Sequence, residues 1–330
     1  MTNQTTSGSL SELDFSDLYL EPNGHAWYKR FSRDPNRHEL TGDLLEQARK
    51  LDEPARKENK DDFRIALGDR ALRGRILPTI SGDLVVLRRL MLRSEVPNVE
   101  SLYPVKLVNA LMSAELASGG VLLITGPTGS GKTVAAMATV IARLTRFGGV
   151  ATSLENPVEI VADGVYRGPT GAVGMLYQTE VANDLEFGPQ IQARSRAAPD
   201  IIFIGEIRTP AAMAQAALAA LSGVVAIATS HAENVLSGVE RFRAMVRDAG
   251  YETGLFSNAI AVIVHQTMTR TELPNGTVQR KYDVSPLVVR GAVAAAGIRG
   301  QLMNDDLRPL QAHIDQQRRA MHNPSPGVPL

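Results

Sequence analysis

Apolar runs alternate with helix-period segments over the last two thirds of the chain. Helical segments are predicted at residues 105–117 and 132–146, and Thr209 followed by Pro210 is typical of the start of another helix. Four short apolar runs are predicted to be buried strands, at residues 121–125, 150–154, 201–204 and 224–229. Strands that alternate with helices of this length are typical of a parallel sheet with crossover helices, so we expect an α/β domain.

The first third of the chain has a different pattern. A short strand is predicted at residues 17–20, and residues 42–51 carry one apolar helical face. Residues 52–62 are charged and are expected to be solvated. Three strand-like runs follow, at residues 63–67, 71–76 and 84–90. Turn residues such as Gly and Asp separate these runs, which predicts a smaller N-terminal α+β domain with an antiparallel sheet.

Composition changes along the chain suggest where the domains meet. The length of 330 residues is enough for about two domains. The Ser- and Thr-rich start is expected to be flexible, and two prolines near residue 100 indicate a linker. The predicted division is a flexible N-terminus at 1–12, an N-terminal domain at 13–95, a linker at 96–105, an α/β domain at 106–300, and a C-terminal helix and tail at 301–330.

Charge and cysteine content exclude several classes of protein. The 35 basic and 35 acidic side chains balance, which argues against a protein that coats nucleic acid. The absence of cysteine excludes a disulfide scaffold, a zinc ribbon and a thiol nucleophile. The N-terminal residues lack the basic and apolar regions of a secretory signal, and no run of about 20 strongly apolar residues occurs. We therefore expect a cytoplasmic protein.

The motif with the strongest chemical meaning is the octapeptide GPTGSGKT, between strand 121–125 and helix 132–146. Its glycines let backbone N–H groups point at phosphate oxygens, and the helix N-terminus adds partial positive charge. Lys132 is expected to reach the β- and γ-phosphates of ATP, and the Thr133 hydroxyl to hold Mg²⁺. The predicted nucleotide-binding residues are Gly126, Pro127, Thr128, Gly129, Ser130, Gly131, Lys132 and Thr133. A second GPTG, at residues 168–171, lacks the following Gly-Lys-Thr and is expected to be a loop.

Acidic and imidazole side chains follow the other three predicted strands. Ligands of open parallel sheets bind at the carboxyl ends of the strands, and Glu206 lies just past one of them, where it could complete a magnesium shell. Glu155 and Glu159 follow another strand, and either is placed to activate water. His231 follows the fourth strand and could sense the γ-phosphate through a hydrogen bond.

In chain order these segments resemble the PilT/GspE superfamily of secretion ATPases, over residues 14–289. LENPVE at 154–159 resembles its aspartate box, RAAPDIIFIGEIR at 196–208 its Walker B region, and TSHA at 229–232 its histidine box. By this resemblance Glu159 matches the proposed catalytic base and Glu206 the Walker B glutamate. Asn156 and Ala198 stand where the family usually has Asp. A nucleotide-gated scaffold without hydrolysis is therefore an alternative, which the retained glutamates and histidine disfavour.

The resemblance implies a RecA-like P-loop NTPase domain behind a PAS-like N-terminal domain. It also implies a ring of six protomers with ATP at the domain interface. The arginines that it suggests as nucleotide contacts are Arg88, Arg89 and Arg93 at the end of the N-terminal domain, and Arg196 and Arg208 around the Walker B region. Expected partners are an inner-membrane secretion platform or coupling proteins, with the protein cytoplasmic and peripheral at the inner membrane.

Three features bear on the branch of this superfamily. The type II branch commonly carries a four-cysteine zinc module, which the absence of cysteine disfavours. The Ala-Ile-Arg ending typical of pilus retraction motors is not found in residues 301–330, and EVAN at 180–183 resembles the DotB and TraJ branch of type IVB secretion and conjugation. A pilus retraction motor and a DNA-stimulated RecA-like motor are the alternatives; the balanced charge does not indicate DNA contact.

Overall fold

The chain consists of two compact units, Met1–Arg93 and Ser94–Leu330, by its backbone contacts. The structure is a computed structural model that describes residues 8–31, 34–58, 63–273, 278–322 and 330. Within these ranges, no helix combines the length and the apolar character needed to cross a bilayer.

The N-terminal unit contains an antiparallel sheet of six strands, one long helix and one further short strand. Its elements are β1 (Asp17–Leu20), β2 (Ala26–Lys29), β3 (His38–Glu39), α1 (Gly42–Lys57), β4 (Phe63–Leu67), β5 (Arg70–Thr79), β6 (Gly82–Arg89) and β7 (Met91–Leu92). The strand order is β3-β2-β1-β6-β5-β4, and every neighbouring pair is antiparallel. Leu44, Ala48 and Leu51 of α1 share a core with Leu18 and Leu87 of the sheet, as the apolar helical face predicts.

Two expectations for this unit need correction. The helix continues to Lys57, so the expectation that residues 52–62 are all solvated is wrong for its last turn, where Ala55 is fully buried. Ala55 lies four residues after Leu51 and extends the same apolar face. Leu10 falls in the segment 1–12 expected to be flexible, yet it is buried in the core and its N–H donates to Gln47 Oε1 at 2.8 Å. Residues 1–7 and 59–62 of these segments lie outside the described residues.

The second unit contains an eight-stranded sheet with helices packed on it, and one further short strand. Its first elements are α2 (Val99–Leu102), α3 (Val105–Leu111), β8 (Gly120–Thr125), α4 (Lys132–Phe147), β9 (Gly149–Leu154), β10 (Ile160–Val161), β11 (Gly164–Arg167), β12 (Val173–Tyr177) and α5 (Phe187–Ser195). The remaining elements are β13 (Ile201–Ile204), α6 (Pro210–Leu221), β14 (Val225–Ser230), α7 (Val235–Asp248), α8 (Thr253–Ala259), β15 (Ile260–Glu272), β16 (Val278–Val288), α9 (Ala295–Met303) and α10 (Leu310–Met321).

The strand order of this sheet is β11-β12-β9-β13-β14-β8-β15-β16. The strands from β12 to β15 are parallel, and β11 and β16 are antiparallel edges. All residues of β8, β13 and β14 are buried, which is why these strands are continuous apolar runs in the sequence. The α/β class predicted from the sequence is therefore confirmed. Because β14 lies between β8 and β13, the carboxyl ends of all three meet at one edge.

The segment that precedes β8 differs from its prediction. The helix predicted at 105–117 is wrong, because α3 ends at Leu111 and a separate 3₁₀ turn covers Ala114–Ser118. Ser113 starts that turn by accepting a hydrogen bond from the Glu115 N–H at 3.2 Å. Residues 96–105, expected to be a linker, contain α2 and the buried side chain of Tyr103.

The second GPTG sequence forms the turn between β11 and β12, in agreement with the loop expected there. Its first glycine has a packing role, because a Cβ on Gly168 would come within 1.9 Å of the Thr145 carbonyl oxygen in α4. In this second copy, the first glycine therefore allows a close contact between two backbone segments. Near the C-terminus, α10 provides a helix in the region where one was expected, and residues 323–329 lie outside the described residues.

Candidate nucleotide-binding site

The GPTGSGKT segment connects the carboxyl end of β8 to the N-terminus of α4. Gly126 has a φ of 148°, and a Cβ there would come within 2.1 Å of the Gln266 carbonyl oxygen. Gly131 has a φ of 82°, a conformation that side chains other than glycine rarely adopt. The loop therefore needs glycine at both ends of its turn. A glycine-rich loop at the start of a helix can cradle a phosphate group with its backbone N–H groups.

Lys132 lies at the base of this loop. It is 8% exposed, and its Nζ donates to the carbonyl oxygens of Gly126 and Pro127, at 2.9 Å each. Burial lowers the pKa of Lys132, while the charges of Glu206 and Glu159 oppose that shift. Both predicted catalytic carboxylates therefore act electrostatically on the loop lysine. Thr133 follows in the first turn of α4.

Glu206 is held between two other predicted site residues. Its Oε1 lies 3.1 Å from His231 Nε2, and its Oε2 accepts a hydrogen bond from Arg208 Nε at 2.8 Å. Glu206 follows β13 and His231 follows the neighbouring parallel strand β14, so the sheet register brings them together. Arg208 also donates to Asp184 at 3.3 Å, and its hydrogen bond to Glu206 raises the pKa of Arg208.

The two glutamates of the LENPVE segment have different surroundings. Glu155 is buried at the end of β9, where its Oε1 accepts hydrogen bonds from Ser153 at 2.6 Å and from Gln178 at 2.9 Å. Burial raises the pKa of Glu155 to about 7, against the effect of those hydrogen bonds and with a further contribution from nearby Glu159 and Glu180. Glu159 is exposed. It lies two residues after Pro157, whose peptide bond with Asn156 is cis.

Two of the predicted arginines belong to a different unit from the phosphate loop, and a third lies near the opposite ends of the parallel strands. Arg196 is exposed at the end of α5, shortly before the amino end of β13, whereas the loop follows the carboxyl end of the parallel strand β8. Arg88 and Arg89 belong to the N-terminal unit, where they contact Asp17 at 2.7 Å and Asp14 at 3.4 Å. A nucleotide contact for these three arginines stays a prediction.

Two buried residues that the sequence analysis did not assign to the site are connected to the phosphate loop. Gln266 contacts the loop directly, and Tyr103 contacts Gln266. Gln266 Nε2 donates to the Ser130 carbonyl oxygen at 2.6 Å, and the Tyr103 hydroxyl donates to Gln266 Oε1. Gln266 lies in the segment AVIVHQTM at 261–268, but nothing in one sequence shows its partners. A cavity of about 620 Å³ adjoins the same loop. Residues that line this cavity include Gly126, Pro127, His231, Glu233, Arg241 and His265.

The chemistry of these groups fits a magnesium nucleotide. The loop provides a backbone cradle, a helix N-terminus and a buried ammonium group for phosphate oxygens. Among the described residues there is no group of three or more His, Asp or Glu side chains able to hold a metal ion. Protein sites commonly bind Mg²⁺ through one or two protein ligands together with substrate phosphates. Thr133 and Glu206 remain the residues predicted to supply those ligands.

Comparison with curated proteins finds relatives of this chain in type II secretion and in type IV pilus assembly. The chain is 31% identical over 227 residues to the type II secretion system protein E of Aeromonas hydrophila, covering 67% of this chain and 42% of that protein. It is 30% identical over 217 residues to the type IV pilus assembly ATPase PilB of Thermus thermophilus, covering 66% of this chain and 23% of PilB. The chain thus spans less than half the length of these curated relatives.

Two solved structures share the fold. The pilus retraction motor PilT with bound ADP superposes with a TM-score of 0.67 at 21% identity, covering 94% of this chain and 87% of PilT. The ATPase DotB of Legionella pneumophila gives a TM-score of 0.67 at 17% identity, covering 94% and 85%. The profile described as "Type II/IV secretion system protein" matches residues 15–316. Since that match includes both units and the phosphate loop, this chain belongs to the type II/IV secretion system protein family.

Proposed function

We propose that this protein is a Mg²⁺-dependent ATPase that powers secretion. The observation that carries the proposal is the phosphate loop at the end of β8, with Glu206 and His231 placed past the two strands next along the sheet. The reaction is attack of water on the γ-phosphorus of ATP, which breaks the bond to the bridging oxygen and releases ADP and phosphate. Family membership supports the same activity.

Each predicted residue has a defined task in this reaction. The loop N–H groups and Lys132 bind the β- and γ-phosphates, and Lys132 is already held at the base of the loop. Thr133 and Glu206 would hold Mg²⁺, which neutralises phosphate charge when bound. Glu159 accepts the proton of the attacking water, and His231 donates a hydrogen bond near the γ-phosphate. The contact between His231 and Glu206 fits this use of both groups at one place.

The proposed working form is a homo-hexamer at the cytoplasmic face of the inner membrane, where it acts on a secretion platform or coupling protein. Hydrolysis would change the arrangement of protomers and so do mechanical work. Arg88, Arg89 and Arg196 are proposed to act in the assembled ring. Arg88 and Arg89 belong to the N-terminal unit, and Arg196 lies shortly before the amino end of β13. These positions are compatible with a role in the ring.

Within the family we propose the type IVB and conjugative branch, represented by DotB and TraJ. The fold alone does not separate DotB from PilT, since both give a TM-score of 0.67. The support is in the sequence, namely the absence of cysteine and the segment from Glu180 to Asn183. In the bacterium that encodes this chain, Lys132→Ala should abolish transfer of a type IVB substrate and leave pilus retraction intact. Loss of retraction with normal transfer would favour the pilus motor.

A substitution of Glu206 tests the proposed hydrolysis. Glu206→Gln keeps the size of the side chain but removes the carboxylate that lies between His231 and Arg208. We expect phosphate release to fall by about 10² or more while ATP binding is retained. Glu240→Gln is the matched control, because Glu240 is exposed on α7. Phosphate release by Glu206→Gln at the wild-type rate would contradict the proposal.

A different measurement tests the alternative of a DNA-stimulated RecA-like motor. Stimulation of wild-type phosphate release by single-stranded DNA would support that alternative.

A further inference from the structure

Gln266 is a fully buried amide in β15 whose side chain contacts the phosphate loop. Its Nε2 donates to the Ser130 carbonyl oxygen at 2.6 Å. The main-chain carbonyl oxygen of Gln266 faces Gly126, and a Cβ on Gly126 would come within 2.1 Å of that oxygen. Gln266 therefore contacts the loop at two points. Its main chain lies against Gly126, and its side chain bonds Ser130.

The hydrogen bond from Gln266 fixes one peptide plane of the loop. In a planar trans peptide the C=O and N–H point in opposite directions. The Ser130 carbonyl faces Gln266, so the N–H of Gly131, which belongs to the same peptide, points away from Gln266. Gly131 has a φ of 82°, so this peptide adjoins a glycine in the left-handed region. Glycine permits more backbone conformations than other residues, so the hydrogen bond from Gln266 restricts this peptide.

Tyr103 determines the orientation of the Gln266 amide. Its hydroxyl donates to Gln266 Oε1, which leaves the NH₂ end of the amide toward Ser130. The opposite orientation would place two oxygen atoms, Oε1 and the Ser130 carbonyl, against each other. Burial raises the pKa of Tyr103, so the hydroxyl keeps its proton and remains a donor.

We propose that Gln266 is a positioning residue for the nucleotide, and that Tyr103 is the residue that orients it. Gln266 holds the Ser130–Gly131 peptide so that the Gly131 N–H is available to a phosphate of a nucleoside di- or triphosphate. Tyr103 lies ten residues after the end of the N-terminal unit, so this relay joins the start of the second unit to the phosphate loop. The inference rests on the proposed nucleotide binding and adds the residues that preorganise it.

The affinity of the full-length protein for ADP with Mg²⁺, measured by calorimetry, tests this role. Gln266→Leu removes the donor to Ser130 and should raise the Kd about 10-fold. Tyr103→Phe keeps the ring, removes the hydroxyl, and should raise the Kd by a smaller factor of about 3. In the double variant, Tyr103→Phe should add little to Gln266→Leu, because the orienting hydroxyl has no amide to act on. In turnover assays the loss should appear as a raised KM.

Gln317→Leu is the matched control. Gln317 is a buried amide on α10 that bonds both the N–H and the carbonyl of Val288, at 2.7 and 2.9 Å. Its loss should lower stability without changing the Kd for ADP. An unchanged Kd in a folded Gln266→Leu variant would overturn this inference alone. If Gln266→Leu does not fold, an unchanged Kd in Tyr103→Phe overturns it. Failure of the wild type to bind ADP would instead overturn the proposed function.

Discussion

At the scale of single residues, the candidate site is defined by pairings that follow from the sheet. The sequence predicts Glu206 and His231 separately, each as a polar residue past an apolar run. Their 3.1 Å contact requires that β13 and β14 be parallel neighbours. Gln266 and Tyr103 could not be found in this way. They are separated by 163 positions, and their hydrogen bond leaves no local pattern in the sequence.

Glu155 gives a prediction about stability and pH. Its pKa is about 7 in the folded chain against an ordinary value of 4.5, so between these values the folded chain binds more protons than the unfolded chain. The stabilisation from its protonation is fully present below about pH 4.5 and is lost as pH rises through about 7. Without nucleotide, the free energy of unfolding of the wild type should decrease by up to about 3 kcal/mol over that range because of this group.

Denaturant unfolding at a series of pH values measures this effect. Glu155→Gln keeps an oxygen that can accept from Ser153 and Gln178, and it should flatten the slope between pH 5 and 8. Glu159→Gln is the control, since Glu159 is exposed, and it should leave most of the slope in place. An equal slope in the wild type and Glu155→Gln would show that Glu155 does not titrate in this range.

At the scale of secondary structure, buried strands were the most predictable elements. The predicted and observed limits of β8, β9, β13 and β14 agree within one residue, because each is an apolar run bounded by turn or polar residues. Helix ends were less predictable. The helix predicted at 105–117 is interrupted after Leu111, where Ser113 starts a new turn with a local side-chain hydrogen bond. The extension of α1 past Pro54 depends on burial of Ala55 in the core.

The start of α7 gives a prediction at this scale. Asn234 accepts a hydrogen bond from the Ser237 N–H at 2.8 Å, and Ser237 Oγ accepts one from the Asn234 N–H at 3.1 Å. Asn234→Ala should lower the free energy of unfolding by about 1 kcal/mol. Asn98 is a matched control, because it precedes α2 without a side-chain capping bond. Chemical denaturation should show a clearly smaller loss for Asn98→Ala, and equal losses would argue against the cap.

At the scale of the whole molecule, the two units differ in architecture as the sequence indicates. The first has an antiparallel sheet and its own core, and the second has the parallel sheet that carries the phosphate loop. The matching family profile extends over both. Assembly cannot be inferred from one chain by hydrophobic pattern alone, because interface residues have no period of their own. The homo-hexamer therefore stays a prediction.

Sedimentation velocity tests that assembly. Glu206→Gln should retain ATP, so with Mg²⁺ and ATP it should sediment as a species of six times 35.6 kDa. Lys132→Ala should remain smaller under the same conditions, because it lacks the ammonium group that binds phosphate. A monomer of Glu206→Gln at concentrations where it is saturated with ATP would contradict the ring.

The most direct test of the central claim is steady-state phosphate release from ATP and Mg²⁺ by the wild type and Lys132→Ala. Lys132 is the buried ammonium at the base of the phosphate loop, so its removal should lower the rate by about 10² or more. Lys50→Ala, at an exposed position on α1, should match the wild type. Thermal melts should confirm that both variants fold. Wild-type phosphate release by a folded Lys132→Ala variant would contradict the assignment of this chain as an ATPase that uses this loop.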